Sequence, residues 1–111
     1  MNNALITLCS CGSRDEAERL AATLVEDRLA ACVSIMPEMK SVYRWQGKVE
    51  AASEYLLIVK TTEGRQQELE RRLSELHSYD TPEIVTVAVA SGSKKYLTWL
   101  ADQVSPAGTG E

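Results

Sequence analysis

The sequence lacks most of what would announce a function at once. Its 12 lysines and arginines are outnumbered by 16 acids, for a formal net charge of −4. They are scattered among those acids, so no basic face is laid out for a nucleic-acid backbone. No run reaches the roughly eighteen apolar residues of a membrane span. The opening MNNALITLCSC has neither a basic start nor an apolar stretch long enough for a secretory signal. The expectation is a cytoplasmic protein with no nucleic-acid and no membrane partner. Cysteine is scarce and odd in number, three in all, which fits free thiols in a reducing compartment better than a disulfide framework. There is one histidine, His77, no glycine-rich phosphate loop and no nucleophile elbow. No catalytic residue is assigned, and the expectation is that the protein is not an enzyme. A thiolate pair of Cys9 or Cys11 with His77 is conceivable, yet nothing local marks an activated thiol.

What is present suits one ordinary globular domain: 111 residues, 44% hydrophobic and 25% charged. A chain of this size buries roughly two thirds of its unfolded surface and folds without a disulfide or metal, so any metal would serve function. Residues 1–104 are expected to form the domain and 105–111 (SPAGTGE) a flexible tail.

ALITLC, from Ala4 to Cys9, reads as a buried strand. Ser13 and Glu16 form a capping box opening a helix whose inner face carries Ala17, Leu20, Ala21, Leu24 and Val25. A second strand runs from Ala31 to Met36 and is expected to be interrupted at Pro37. Gln46-Gly47 is the tip of a hairpin, and EYLLIVKT continues its returning arm. A second helix, GRQQELERRLSELH, turns Leu69, Leu73 and Leu76 inward. EIVTVAVA (Glu83 to Ala90) is the fourth strand. Ser93 caps a last helix with Tyr96, Leu97, Leu100 and Val104 inward. The order β-α-β-β-α-β plus a helix predicts an α+β, ferredoxin-like fold with the first and third strands central.

Two helices cover only one face of such a sheet, so a monomer should have polar residues on the other. Instead both alternating sets in LLIV (Leu56 to Val59) and IVTVAVA are mostly apolar, and Tyr43 and Trp45 add aromatic surface. A neighbouring subunit is the expected cover.

The segments RLAACVSI, SVYRWQGKVE, EYLLIVKT, HSYDTPEI and YLTWL, in this order and spacing, resemble the CutA family of divalent-cation tolerance proteins. The resemblance spans nearly the whole chain before the tail. It implies a compact homotrimer of ferredoxin-like protomers, similar in architecture to the PII signal proteins. It also implies a role in tolerance of copper and other divalent metals, with an animal form linked to anchoring of acetylcholinesterase. No organic cofactor is implied. Ser78 stands where the family usually has proline.

Within that topology, Cys9 and Cys11 at the end of the first strand share one end of the sheet with His77, Tyr79 and Glu83, while Cys32 starts at the other end. Cys9, Cys11 and His77 are therefore the candidate ligands for Cu(II), Cu(I) or another divalent metal bound reversibly. Cysteines two apart on one strand face lie roughly 7 Å apart, so the strand must end or bulge between them to share an ion. The alternative makes Cys9 and Cys32 small buried hydrophobes and Cys11 a strand-end thiol. It makes His77 a cap on the last carbonyls of its helix and pairs Glu83 with a cation. Trp45, Glu54, Lys60, Tyr79 and Glu83 are expected to line an intersubunit cleft, with Lys60 near Glu54 or Glu83. A PII-like module would hold a small anionic ligand there. SGSKK, Ser91 to Lys95, is a further possible anion seat.

Overall fold

A computed structural model describes residues 3–105. Its elements are β1 (Ala4–Cys11), α1 (Arg14–Glu26), β2 (Cys32–Trp45), β3 (Lys48–Thr62), a 3₁₀ turn (Glu63–Arg65), α2 (Gln66–Leu76), β4 (Ile84–Ala88) and α3 (Lys94–Gln103). The four strands form one sheet in the order β2-β3-β1-β4. Every neighbouring pair is antiparallel. This is the ferredoxin-like βαββαβ arrangement with an added helix. The tail expected from Ser105 onward lies, beyond Ser105 itself, outside the described residues.

Alternation along the strands creates the core. The odd positions Cys9, Cys11, Leu57 and Val59 turn toward α1 and α2 and meet Leu20, Leu24, Leu69 and Leu73, all nearly or fully buried. Val25, placed inward by its spacing, is 43% exposed at the rim of the helix. The even positions form the opposite face. α3 lies over β3 and β1, and burial, with Cys32 nearby, raises the pKa of its Tyr96 phenol. Cys32 and its cross-strand partner Lys60 belong to the even face, so α3 covers part of the face opposite α1 and α2. Leu100 and Val104 are its buried anchors; Tyr96 turns outward to pack on Trp99.

Three boundaries differ from expectation. β1 continues to Cys11, which still pairs with Tyr55. β4 stops at Ala88. Pro37 does not interrupt β2: the ladder shifts register between Met36 and Met39 and resumes. A bulge at an edge strand absorbs a residue without an N–H to donate. The hairpin tip is as its sequence suggests, with φ of 50° at Gln46 and 82° at Gly47. Two left-handed residues match the twist of the flanking strands.

Candidate metal centre and acidic cleft

The end of β1 packs against the start of α1 and the end of α2, and this meeting point gathers the candidate ligands. The sulfurs of Cys9 and Cys11 and a ring nitrogen of His77 lie within 4.8 Å of one another, and all three residues are buried. The strand neither ends nor bulges between the cysteines. Their side chains instead lean together, since staggered rotamers can shorten the gap that backbone rise alone would leave. The Cys9 thiol donates to the Ser10 carbonyl at 4.0 Å; the neighbouring Cys9 thiol lowers the Cys11 pKa, while the neighbouring Cys11 and burial raise that of Cys9. Two soft donors and an imidazole make a donor set suited to Cu(I), Zn(II) or Cu(II).

His77 is engaged on both sides. Its Nε2 donates to the Ser10 carbonyl at 2.7 Å, and its Nδ1 accepts the Tyr79 N–H at 3.0 Å; this hydrogen-bond network assigns the Nε2–H tautomer. The ring therefore latches the end of α2 to β1 rather than capping its own helix carbonyls. The Glu16 carboxylate, 3.7 Å from Nδ1, takes its hydrogen bonds elsewhere: from the Ser78 N–H at 2.8 Å and the Ser78 hydroxyl at 3.0 Å. Burial alone would raise the Glu16 pKa, but these two donors, with His77 and Arg19 nearby, hold it below the usual carboxylate value. Only half of the expected capping box forms, Glu16 N–H donating to Ser13 Oγ at 3.1 Å. The Glu16 side chain is spent on the turn after α2. A sequence reading restricted to helix capping misses it.

On the even face beside Ser10 opens a cleft of about 820 Å³. Trp45, Glu54, Tyr79 and Glu83 line it, together with Tyr43, Glu50 and Asp80. The Tyr79 hydroxyl donates to Glu54 at 2.8 Å. Burial and that carboxylate push the phenol pKa well up, so Tyr79 remains a donor. Gly12 makes room for this ring: a Cβ there would stand 3.0 Å from the Tyr79 oxygen.

Lys60 is not in the cleft. It follows Glu54 by six residues on β3, roughly 20 Å at the rise of a strand. Its Nζ donates to Ser34 Oγ at 2.5 Å and to Cys32 Sγ at 3.7 Å. Cys32 thus sits apart from the other thiols. Glu83 has no ion-pair partner among the described residues. The SGSKK turn is capped from within, Ser93 Oγ accepting the Tyr96 N–H at 3.1 Å.

Known proteins share this fold and much of this sequence. A family model described as CutA1 divalent ion tolerance protein matches residues 5–103. A divalent-cation tolerance protein CutA of Thermus thermophilus is 45% identical over 97 residues, covering 87% of this chain and 94% of that one. The chloroplastic protein CutA of Arabidopsis thaliana is 39% identical over 97 residues, 87% of this chain and 53% of the plant protein. A solved structure, described as the periplasmic divalent cation tolerance protein CutA from Archaeoglobus fulgidus, superposes with a TM-score of 0.89 at 38% identity, covering 92% of this chain and 99% of that one. No described helix is long and apolar enough to cross a membrane, and these relatives are named for two different compartments. By sequence and by fold together, the chain belongs to the CutA1 divalent ion tolerance protein family.

Proposed function

We propose that the protein is a cytoplasmic divalent-cation tolerance protein that binds copper or a related ion reversibly through Cys9, Cys11 and His77, and that it acts as a homotrimer without a catalytic step. The observation that carries the metal reading is the approach of two sulfurs and one imidazole nitrogen to within 4.8 Å of one another. Filling the site through imidazole exchanges one existing hydrogen bond of His77, to Ser10 or from Tyr79, for a metal bond. Metal affinity should accordingly be moderate and coupled to a small movement of the turn after α2.

The test is competition for Cu(I) against a chromophoric chelator under reductant, with a parallel Cu(II) titration, on wild type, Cys11→Ser and His77→Ala. The expected result is at least tenfold weaker Cu(I) binding in Cys11→Ser and a smaller loss in His77→Ala. Equal affinities in the three proteins would sink the ligand set.

The alternative, a PII-like module holding a small anion in the intersubunit clefts, would draw its cationic groups from the neighbouring subunit, since the described residues lining one protomer's share of the cleft include no lysine, arginine or histidine. A thiol enzyme would need an accessible nucleophile, and Cys9 and Cys11 are both fully buried.

A further inference from the structure

The two nitrogens of His77 face different surroundings. Nε2 points at the Ser10 carbonyl, 2.7 Å away, and the Cys9 sulfur approaches the same oxygen at 4.0 Å. Ser10 lies between the two cysteines, so Nε2 is the nitrogen turned toward the sulfurs. Nδ1 meets the Tyr79 N–H at 3.0 Å and the Glu16 carboxylate at 3.7 Å. That carboxylate is not a member of the Cys9, Cys11 and His77 group. It stands behind the ring.

A neutral imidazole carries one proton, and the hydrogen bonds place it on Nε2. A nitrogen that ligates a metal ion must be free of its proton. For Nε2 to ligate, the proton has to sit on Nδ1, which then no longer accepts from Tyr79 and needs an acceptor of its own. Glu16 is the acceptor in place. Its carboxylate offers roughly four acceptor sites. Ser78 fills one on each oxygen, through its N–H and its hydroxyl, and so holds the carboxylate beside the ring. Charge-assisted N–H···O bonds are about 2.7–2.9 Å long, so closure by about 1 Å turns the approach into such a bond. We propose that His77 ligates through Nε2 and that Glu16 is the positioning residue that receives the Nδ1 proton of the loaded protein. The proposal rests on the ligand set of Cys9, Cys11 and His77. In the loaded protein the metal bond replaces the Ser10 bond, and Glu16 replaces the Tyr79 N–H as the partner of Nδ1. A carboxylate so placed fixes the ring and raises its basicity as a ligand.

His77 is the only histidine, so the ring nitrogens of untagged, nitrogen-labelled protein give an unambiguous NMR spectrum. Long-range proton–nitrogen correlations, recorded before and after loading with Cu(I) under reductant, report which nitrogen carries the proton. It is expected on Nε2 before loading and on Nδ1 after it. In competition titrations Glu16→Gln should bind Cu(I) at least tenfold more weakly than wild type, the scale typical of a partner behind a ligating histidine. Ser78→Ala removes one bond from the same turn but keeps the carboxylate, and its loss should be much smaller. The wild-type spectrum decides the matter even if Glu16→Gln fails to fold. A loaded protein with the proton still on Nε2 would overturn the proposal and leave the ligand set standing. Unchanged affinity in Glu16→Gln, or an equal loss in Ser78→Ala, would do the same. Wild type that binds no Cu(I) would overturn the ligand set and this proposal together.

Discussion

Ser78 shows how much one side chain can decide. A proline at this position would offer neither an N–H nor a hydroxyl. Serine offers both, and the nearly buried Glu16 carboxylate accepts them. Hydrogen bonds to a charged group are worth about 1.5–3 kcal/mol each in favourable cases. Ser78→Ala should therefore cost about 1–2 kcal/mol in urea denaturation, and Ser78→Pro more, because it also leaves the second carboxylate oxygen without its donor. The same contact predicts an acid response. Glu16 has a folded pKa below its ordinary 4.5, so its contribution to stability is complete above that value and is lost as pH falls through the folded pKa. Midpoints measured from neutral pH downward should fall more steeply below 4.5 in wild type than in Glu16→Gln; parallel curves would refute the linkage.

Among the elements, the β2-β3 hairpin carries the strongest expectations. Every residue from 42 to 51 is exposed, and the molecule measures 50 Å in its longest direction against 26 and 22 Å in the others. A two-stranded ribbon projecting into water is marginal on its own. Its tip depends on left-handed backbone at Gly47, φ 82°, where a Cβ would meet nothing within 4 Å. Gly47→Ala thus isolates backbone strain from crowding, and a loss of about 1–2 kcal/mol is expected in thermal or chemical melts. An unchanged midpoint would mean that the tip relaxes freely.

For the whole molecule, the exposed apolar surface asks for a partner. Met36, Val85 and Val87 on the even face are between 47% and 49% exposed, and Val42 and Val49 on the hairpin 67% and 66%. β2 and β4 are edges of the sheet with backbone groups unpaired on one side. Covering several hundred Å² of such surface at about 25 cal/mol per Å² contributes on the order of 10 kcal/mol before association costs, so folding and assembly should be coupled. Sedimentation velocity at micromolar concentration should find a trimer, and Trp45→Asp should lower both the trimer fraction and the melting temperature. A folded, fully stable wild-type monomer would refute the homotrimer.

The sequence alone determined the order of elements, the hairpin tip and, Val25 and Tyr96 apart, the inward faces of the helices. These depend on local periodicity and turn chemistry, which neighbours along the chain specify. Even the convergence of Cys9, Cys11 and His77 on one end of the sheet followed from strand direction. Only the tertiary structure decided how the atoms meet. It lets β2 pass Pro37 by a shift of register, brings two sulfurs together on an unbroken strand, and turns both nitrogens of His77 to hydrogen bonds. It sends Glu16 to Ser78, 62 residues away, and separates Lys60 from Glu54. Rotamers, cross-strand register and contacts between distant segments are set by packing in three dimensions, and the spacing of residues along the chain does not encode them one by one.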